Sequence, residues 1–561
     1  MKRTLDTFLS FSLAAVLFLS VLGTGEAAYA ADSIYVNDSQ SVLSGDLISS
    51  YAVGDTGSVS VTGGTYVITG SGVMQIGQST TPTTTPTIPS GDPDGTTVGI
   101  KQQTVRVGLS YNYSSTRNTA LPSANLLNKV GSGYQFGYYD SSRVFHALGS
   151  TDVTALTMVP DVNTAVSGGT IGCFHIRLPN TYGDFDSAKA AASQYADGFP
   201  AYINGAYYAM IGNYQSTADT NTAIASLGVG GSTFTGSSRC VSVAKTDTTK
   251  LLFEFDCGTN ANLAVHPVNN AGKAITWFKG YLYYGDFEYF RYTSDKLTVT
   301  NVLNIEDYVK GVIPYEMSSS WPTEALKAQA LCARSYFATS VGRFSIYGFD
   351  VTNDDLSQVY HGTNLATTST DAAVDATQGE YVTYNGSVCS TFYFSSDGGG
   401  TEDCENIFTN SLPYLRGVLD PFENDVPLSL NSRKSWSYEL TGAQIAAKLA
   451  AYGYSGGDIV SMTPEYSDTN NVIKMTFSDA SGNTKVLTKQ SNFTVLGLPS
   501  IHYTVTQSAT VTFVITGGGW GHNIGMSQFG AYSMAKNYGL NYRQIIRYYF
   551  TGVNISQGTV A

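Results

Sequence analysis

The sequence predicts an α+β fold that is rich in strands. Two observations carry that prediction. Short runs alternate apolar and polar residues at period two, as in Gly57–Val61, Tyr66–Ile68, Thr104–Leu109 and Lys296–Val302. Between and after these runs stand isolated helical patterns, the clearest being Leu326, Ala330, Ala333 and Phe337, spaced to lie on one face of a helix. Hydrophobic residues make up 42% of the 561 residues, enough to build cores, so a wholly disordered chain is excluded.

The N-terminal thirty residues set the compartment. Lys2 and Arg3 precede a largely apolar stretch from Leu5 to Leu22, and Ala28-Tyr29-Ala30 is a small-x-small cleavage site. Residues 1–30 read as a signal peptide, and no later run is apolar enough to span a bilayer, so the mature chain is expected to be secreted without a membrane span. Thirty basic against 43 acidic residues leave a net charge of −13, which argues against nucleic acid and against anionic lipid surfaces as partners. The six cysteines form no C-x-x-C pair, and buried free thiols are the expectation.

In order along the chain, residues 31–78 read as a small β-rich segment. Residues 79–97 are rich in Thr and Pro (STTPTTTPTIPSGDPDG) and read as an extended linker, because they cannot bury enough apolar surface to offset ordering entropy. Residues 98–169 resume the strand pattern. Residues 170–240 read as a βαββαβ unit: a strand from Cys173, an Ala-rich helix, a hairpin turning at Asn204-Gly205, a strand over Tyr207–Tyr214, and a helix over Thr217–Leu227. Residues 241–561 form the last and longest part. There Asn304 reads as an N-cap, with Asp307 three residues on. The helix it opens should end near Pro314, and a second helix should begin at Pro322. That reading leaves Glu316 on a short, proline-bracketed connection among aromatic and apolar residues. Such surroundings disfavour a charged carboxyl and suit a general acid.

Two resemblances follow from these residues. The stretch Tyr207-Tyr208-Ala209-Met210-Ile211-Gly212-Asn213-Tyr214 with its following helix resembles the SPOR family of peptidoglycan-binding modules. That resemblance implies an exposed sheet face for glycan strands lacking stem peptides, with Tyr207 or Tyr214 stacked on sugar rings.

Residues 303–340 (LNIEDYVKGVIPYEMSSSWPTEALKAQALCARSYFATS) resemble the signature of the SpoIID/LytB family, the stage II sporulation protein D and amidase-enhancer group. Here Ser318 stands in place of proline and Cys332 in place of a small apolar residue. Ser357–Tyr360, Thr377–Gly386, Phe392–Glu402, Leu412–Leu415 and Gly517–Ala531 match further family elements in the family's order, with Asp397 and Asn523 as departures.

The resemblance implies a peptidoglycan lytic transglycosylase. It would cleave the β-1,4 bond between N-acetylmuramic acid and N-acetylglucosamine and leave a 1,6-anhydro end. Glu316 would be the catalytic acid and base, with no second carboxylate and no cofactor. Gln358, Tyr360, Ser396, Thr401, Glu402, His522 and Gln528 are implied as lining of the cleft, with His522 either a donor to ligand or a satisfied turn histidine. Lys327 and Arg334, on one helix face, either fix loops or touch substrate. The implied partners are glycan strands and, in the enhancer branch, an N-acetylmuramoyl-L-alanine amidase that a non-catalytic chain would stimulate. Some members hold zinc through one His and two nearby Cys; that spacing is absent after His361, so no metal is expected.

Overall fold

The computed structural model describes residues 87–560 except 115–116, 294 and 508–511, together with short strand segments between residues 36 and 75. The expected signal peptide and most of the Thr/Pro linker lie outside the described residues. Of the early β-rich segment, Gln40–Ser44, Thr65–Thr69 and Gly72–Gln75 pair as antiparallel neighbours. The chain divides into two compact units. One takes in the N-terminal residues to Thr96, Trp321–Cys332 and Val382–Ser556; the other takes in Thr97–Ser320, Ala333–Tyr381 and Gln557–Ala561. Among the described residues no helix is long and apolar enough to cross a membrane. The fold is α+β and rich in strands, as the alternation predicts.

The second unit is built on two sheets. Its strands are β1 (Thr104–Ser110), β2 (Ala124–Val130), β3 (Gly133–Tyr139), β4 (Phe145–Thr151), β5 (Ala155–Pro160) and β6 (Phe174–Tyr182). After helix α1 (Phe185–Ala192) come β7 (Gly198–Ile203) and β8 (Ala206–Tyr214), then α2 (Thr217–Leu227). There follow β9 (Ser232–Phe234), β10 (Val241–Lys245), β11 (Leu251–Asp256), β12 (Leu263–Val268), β13 (Ile275–Phe278), β14 (Tyr281–Tyr283), β15 (Asp286–Thr293) and β16 (Lys296–Asn304). Two long helices come next, α3 (Ile305–Glu316) and α4 (Thr323–Ser340), the latter belonging to this unit only from Ala333, and then β17 (Val351–Thr352). The seven-stranded sheet runs β4-β3-β12-β15-β16-β1-β17 and the ten-stranded sheet β9-β6-β8-β7-β11-β10-β5-β2-β13-β14.

The βαββαβ order over 174–234 is present, with Asn204 and Gly205 both at positive φ in the hairpin turn. Ser216 and Asp184 cap its two helices. Its sheet is not free on its second face. Ile176, Leu178, Ala192, Ala209 and Ile211 form a core on the helix side. Phe199, Ala201, Ile203, Met210 and Phe234 point the other way, into a core shared with Val159, Ile171, Ala244 and Leu251. The parallel pairing of β7 with β11 makes the sheet continuous with the flanking strands. The face that the SPOR resemblance leaves open is therefore covered. Tyr207, offered above as a sugar platform, meets the Tyr202 ring at a tilt of 60° and donates its hydroxyl to Leu148 O at 2.9 Å.

In the first unit, β18 (Trp436–Thr441), β22 (Tyr503–Gln507) and β23 (Thr512–Gly517) form one antiparallel sheet. Another is made by β19 (Ile459–Tyr466), β20 (Val472–Asp479) and β21 (Thr484–Thr488). Helices α5 (Gln528–Asn537) and α6 (Tyr542–Tyr549) close the unit, each started by a polar cap, Ser527 and Asn541.

Candidate active site

Asn304 caps α3 by accepting from Glu306 N, as expected. The helix does not stop before Pro314. It continues through the proline, and Glu316 is its last residue, not part of a loop. The proline removes one N–H, but Met317 N still bonds Ile313 O at 2.9 Å. Tyr308, Val309, Val312 and Ile313, all buried, hold the last turns in place. One lost backbone bond near a helix end costs less than unpacking that stripe.

Glu316 is half-buried, and its Oε1 accepts the backbone N–H of Val359 at 3.3 Å. The segment carrying that N–H is pinned on both sides. Gln358 Nε2 donates to Tyr308 Oη at 3.1 Å and to Ala333 O at 3.3 Å, joining the strap to α3 and α4. Tyr360 Oη donates to Asn301 Oδ1 at 2.6 Å, joining it to β16. The Tyr360 ring rests against Gly311: a Cβ there would stand 2.4 Å from Cε2 of the ring. Gln358 and Tyr360 are 2% and 1% exposed, so each serves as a buried peg. Between them, Val359 reaches Glu316 through its backbone N–H.

An aromatic cluster gathers around Tyr315, the residue before Glu316. Tyr315 donates its hydroxyl to His361 O at 3.3 Å. The His361 ring stacks on Tyr281 at 4.7 Å and meets Tyr315 edge-on at 5.1 Å. Burial holds the His361 imidazole below its usual range, so it is neutral at physiological pH. No cysteine follows His361 until Cys389, and all six cysteines are free thiols, so the donors for a His-Cys-Cys zinc site do not fit here.

Arg334 is fully buried and clamps Glu306 with two hydrogen bonds, Nε to Oε1 at 3.0 Å and Nη2 to Oε2 at 2.7 Å. It also donates to Glu380 O. Lys327 pairs with Glu324 at 2.7 Å. Of the two roles left open above, both side chains take the structural one.

The remaining expected lining residues lie in the first unit, where they are buried and bonded to their own chain. Ser396 donates to Glu423, and Asn431 Nδ2 reaches its hydroxyl at 3.0 Å. Thr401 Oγ1 accepts from Val418 N at 2.9 Å. The Glu402 carboxylate takes Asp403 N, Asn406 Nδ2 and Ser467 Oγ. Gln528 Nε2 donates to Gln329 Oε1 at 3.4 Å. His522 Nδ1 accepts Ile524 N at 3.0 Å, and burial among Phe392, Phe394 and Phe408 pulls its imidazole down to about 3. It is the satisfied turn histidine.

Asn523 adopts the left-handed backbone at φ 59° that a glycine would take. Its Nδ2 holds Asp397 O and Gly400 O, so the loop keeps its shape. The same loop carries a buried acidic group that sequence reading did not find, Asp397 with Asp420 and Glu423. Asp420 Oδ1 accepts Phe422 N and Glu423 N, and Asp420 Oδ2 accepts Tyr549 Oη. Asp397 Oδ2 has no donor. Burial and the neighbouring carboxylates push Asp397 well above the ordinary range.

Residues 293–384, which contain α3, α4 and the strap, match the family model described as SpoIID, stage II sporulation protein. The chain is 36% identical over 284 residues to an uncharacterized protein of Brachyspira hyodysenteriae, covering 49% of this chain and 73% of that one. It is 33% identical over 285 residues to the stage II sporulation protein D of Bacillus subtilis, covering 47% and 78%. It is also 30% identical over 290 residues to an amidase enhancer of Bacillus subtilis, covering 44% of this chain and 40% of that protein.

Proposed function

The chain belongs to the SpoIID family of stage II sporulation proteins, and from that premise we propose that it is an exported peptidoglycan lytic transglycosylase with Glu316 as its acid and base. The observation that carries this reading is the placement of Glu316. A half-buried carboxyl ends a packed helix, and one oxygen accepts the Val359 N–H. In the proposed reaction Glu316 hands its proton to the bridging oxygen between N-acetylmuramic acid and N-acetylglucosamine. The leaving sugar departs with that proton. The 6-hydroxyl of the muramyl residue then attacks its own C1, and the Glu316 carboxylate takes the hydroxyl proton, closing the 1,6-anhydro ring. One carboxyl performs both transfers, so no water need be activated. Tyr281 and Tyr315 offer apolar faces suited to sugar rings. Gln358 and Tyr360 enter as positioning residues that hold Val359. The SPOR-like stretch is not needed for this reading, because its sheet face is covered.

The test is digestion of amidase-treated peptidoglycan followed by mass spectrometry. Anhydro-muropeptides from the wild type and none from Glu316→Gln are expected; equal yields from both would end the proposal.

A second reading is favoured by the similarity to the amidase enhancer: a wall-binding chain that stimulates an N-acetylmuramoyl-L-alanine amidase without cutting glycan. Stimulation of an amidase that survives Glu316→Gln, with no anhydro product from either protein, selects it.

A further inference from the structure

Away from Glu316, the core of the ten-stranded sheet holds three side chains whose innermost polar atoms face one another. Asp161 directly follows β5, His175 is in β6, and Glu254 is in β11. His175 and Glu254 are fully buried and Asp161 is 8% exposed. In the sheet order β6 and β11 are three strand spacings apart, which in a flat sheet is about 14 Å. Yet His175 Nε2 lies 3.8 Å from Glu254 Oε2 and 3.6 Å from Asp161 Oδ1. The sheet curls to bring them together.

The outer atom of each side chain is held. His175 Nδ1 is 2.7 Å from Gly212 O, a carbonyl that only accepts, so Nδ1 carries a proton. Asp161 Oδ2 accepts Gly236 N at 2.6 Å. Glu254 Oε1 accepts from Cys240 Sγ at 2.7 Å. The inner atoms, His175 Nε2, Asp161 Oδ1 and Glu254 Oε2, have no hydrogen-bond partner. An orphaned buried polar atom is costly, and here three share one spot.

A proton on Nε2 does not satisfy them, because 3.6 and 3.8 Å are beyond hydrogen-bond reach. The spacing suits an ion in the middle. Ligand bonds of about 2.0–2.1 Å place tetrahedral donor atoms about 3.3–3.4 Å apart. One ligand atom from each of the three residues lies within 4.8 Å of the other two. With Nδ1–H donated to a carbonyl, Nε2 is the ring atom left to bind an ion, the arrangement by which proteins orient a metal-binding histidine. Two carboxylates supply the opposing charge. Of the nearby charges, Asp256 is engaged by Ser237 N and Oγ, and Arg291 donates to Cys240 O at 2.7 Å.

We propose that Asp161, His175 and Glu254 bind a divalent first-row cation of the zinc class, a structural ion that ties the end of β5 to β6 and β11 inside the curled sheet. The set is one imidazole and two carboxylates, with Cys240 outside it as a hydrogen-bond partner of Glu254. Zinc is named because one imidazole with carboxylate oxygens is a donor set it takes readily. This site is independent of the reading of Glu316.

The experiment uses the full mature chain, purified without chelator. Elemental analysis is expected to find about one equivalent of zinc, in the wild type and in Glu316→Gln alike, and to lose it in Asp161→Asn and Glu254→Gln. Removing the metal with a chelator should lower the melting temperature by about 5 °C or more, and added zinc should restore it. Should the two variants not fold, X-ray absorption on the wild type decides: a first shell of nitrogen and oxygen with one imidazole supports the site, and sulfur in that shell overturns it. Zinc retained by the folded variants overturns it. So does a wild type that takes up no zinc and melts at the same temperature with and without chelator; the cluster would then be an ion pair only.

Discussion

Tyr360 occupies the space that a methyl group on Gly311 would need, so α3 and the strap that orients Glu316 can approach only because residue 311 has no side chain. Gly311→Ala places a carbon 2.4 Å from the ring, and the ring must move. Overpacking of this kind costs about 1–3 kcal/mol, partly offset by the better helix propensity of alanine, about 1 kcal/mol. Displacing Tyr360 also shifts Val359 N–H from Glu316. The expected result is a modest fall in melting temperature and a much larger fall in anhydro-muropeptide release, measured on the same preparation.

Tyr360→Phe separates the two roles of that residue. The ring still fills its place, but Asn301 Oδ1 loses the hydroxyl that donates to it. A buried acceptor left without its donor costs about 1–3 kcal/mol. Denaturant unfolding should show that loss, while glycan cleavage by the folded protein stays within about threefold of wild type, roughly 0.6 kcal/mol.

Arg334→Ala removes the buried partner of Glu306 and abandons the Glu380 carbonyl. Breaking one side of a buried pair costs about 3–5 kcal/mol. Arg334→Lys keeps the charge but not the two-pronged geometry, and should recover only part of the loss. Urea unfolding of the three proteins checks the order wild type, Lys, Ala.

The acidic group at Asp397 predicts how stability changes with pH. Burial raises the Asp420 carboxyl to about 6, and burial and the Asp420 charge hold Asp397 well above the ordinary carboxylate range. Both folded values lie above the unfolded ones, so the native state binds more protons at pH above 4. Stability from Asp420 is complete below about pH 4 and is lost as pH rises through 6, on the order of 3 kcal/mol. Asp397→Asn should flatten that slope, as read from melting temperatures at pH 4 to 8.

Much of the strand and helix pattern is legible in the sequence because period and capping are local signals. The Leu326-Ala330-Ala333-Phe337 stripe is fully buried, and Asn304 and Asn204-Gly205 act where their chemistry places them. Pro314 misleads because its local penalty is outweighed by packing that involves residues far along the chain. Gln358 and Tyr360 were legible as important but not in role, since a polar side chain reads the same whether it meets a sugar or a neighbouring helix. Val359 was invisible: its contribution is a backbone N–H, which every residue but proline carries. The Asp161-His175-Glu254 cluster has no motif, because curling of the sheet, not spacing in the chain, assembles it.

The curled sheet also bears on how such a chain can be rearranged. The inner face of the 174–234 stretch is sealed by Val159 before it and by Ala244 and Leu251 after it. Cut out, it would lay bare an oily surface and leave a matching wound behind. It is thus welded into its host, and cannot be traded between proteins as a free-standing cassette.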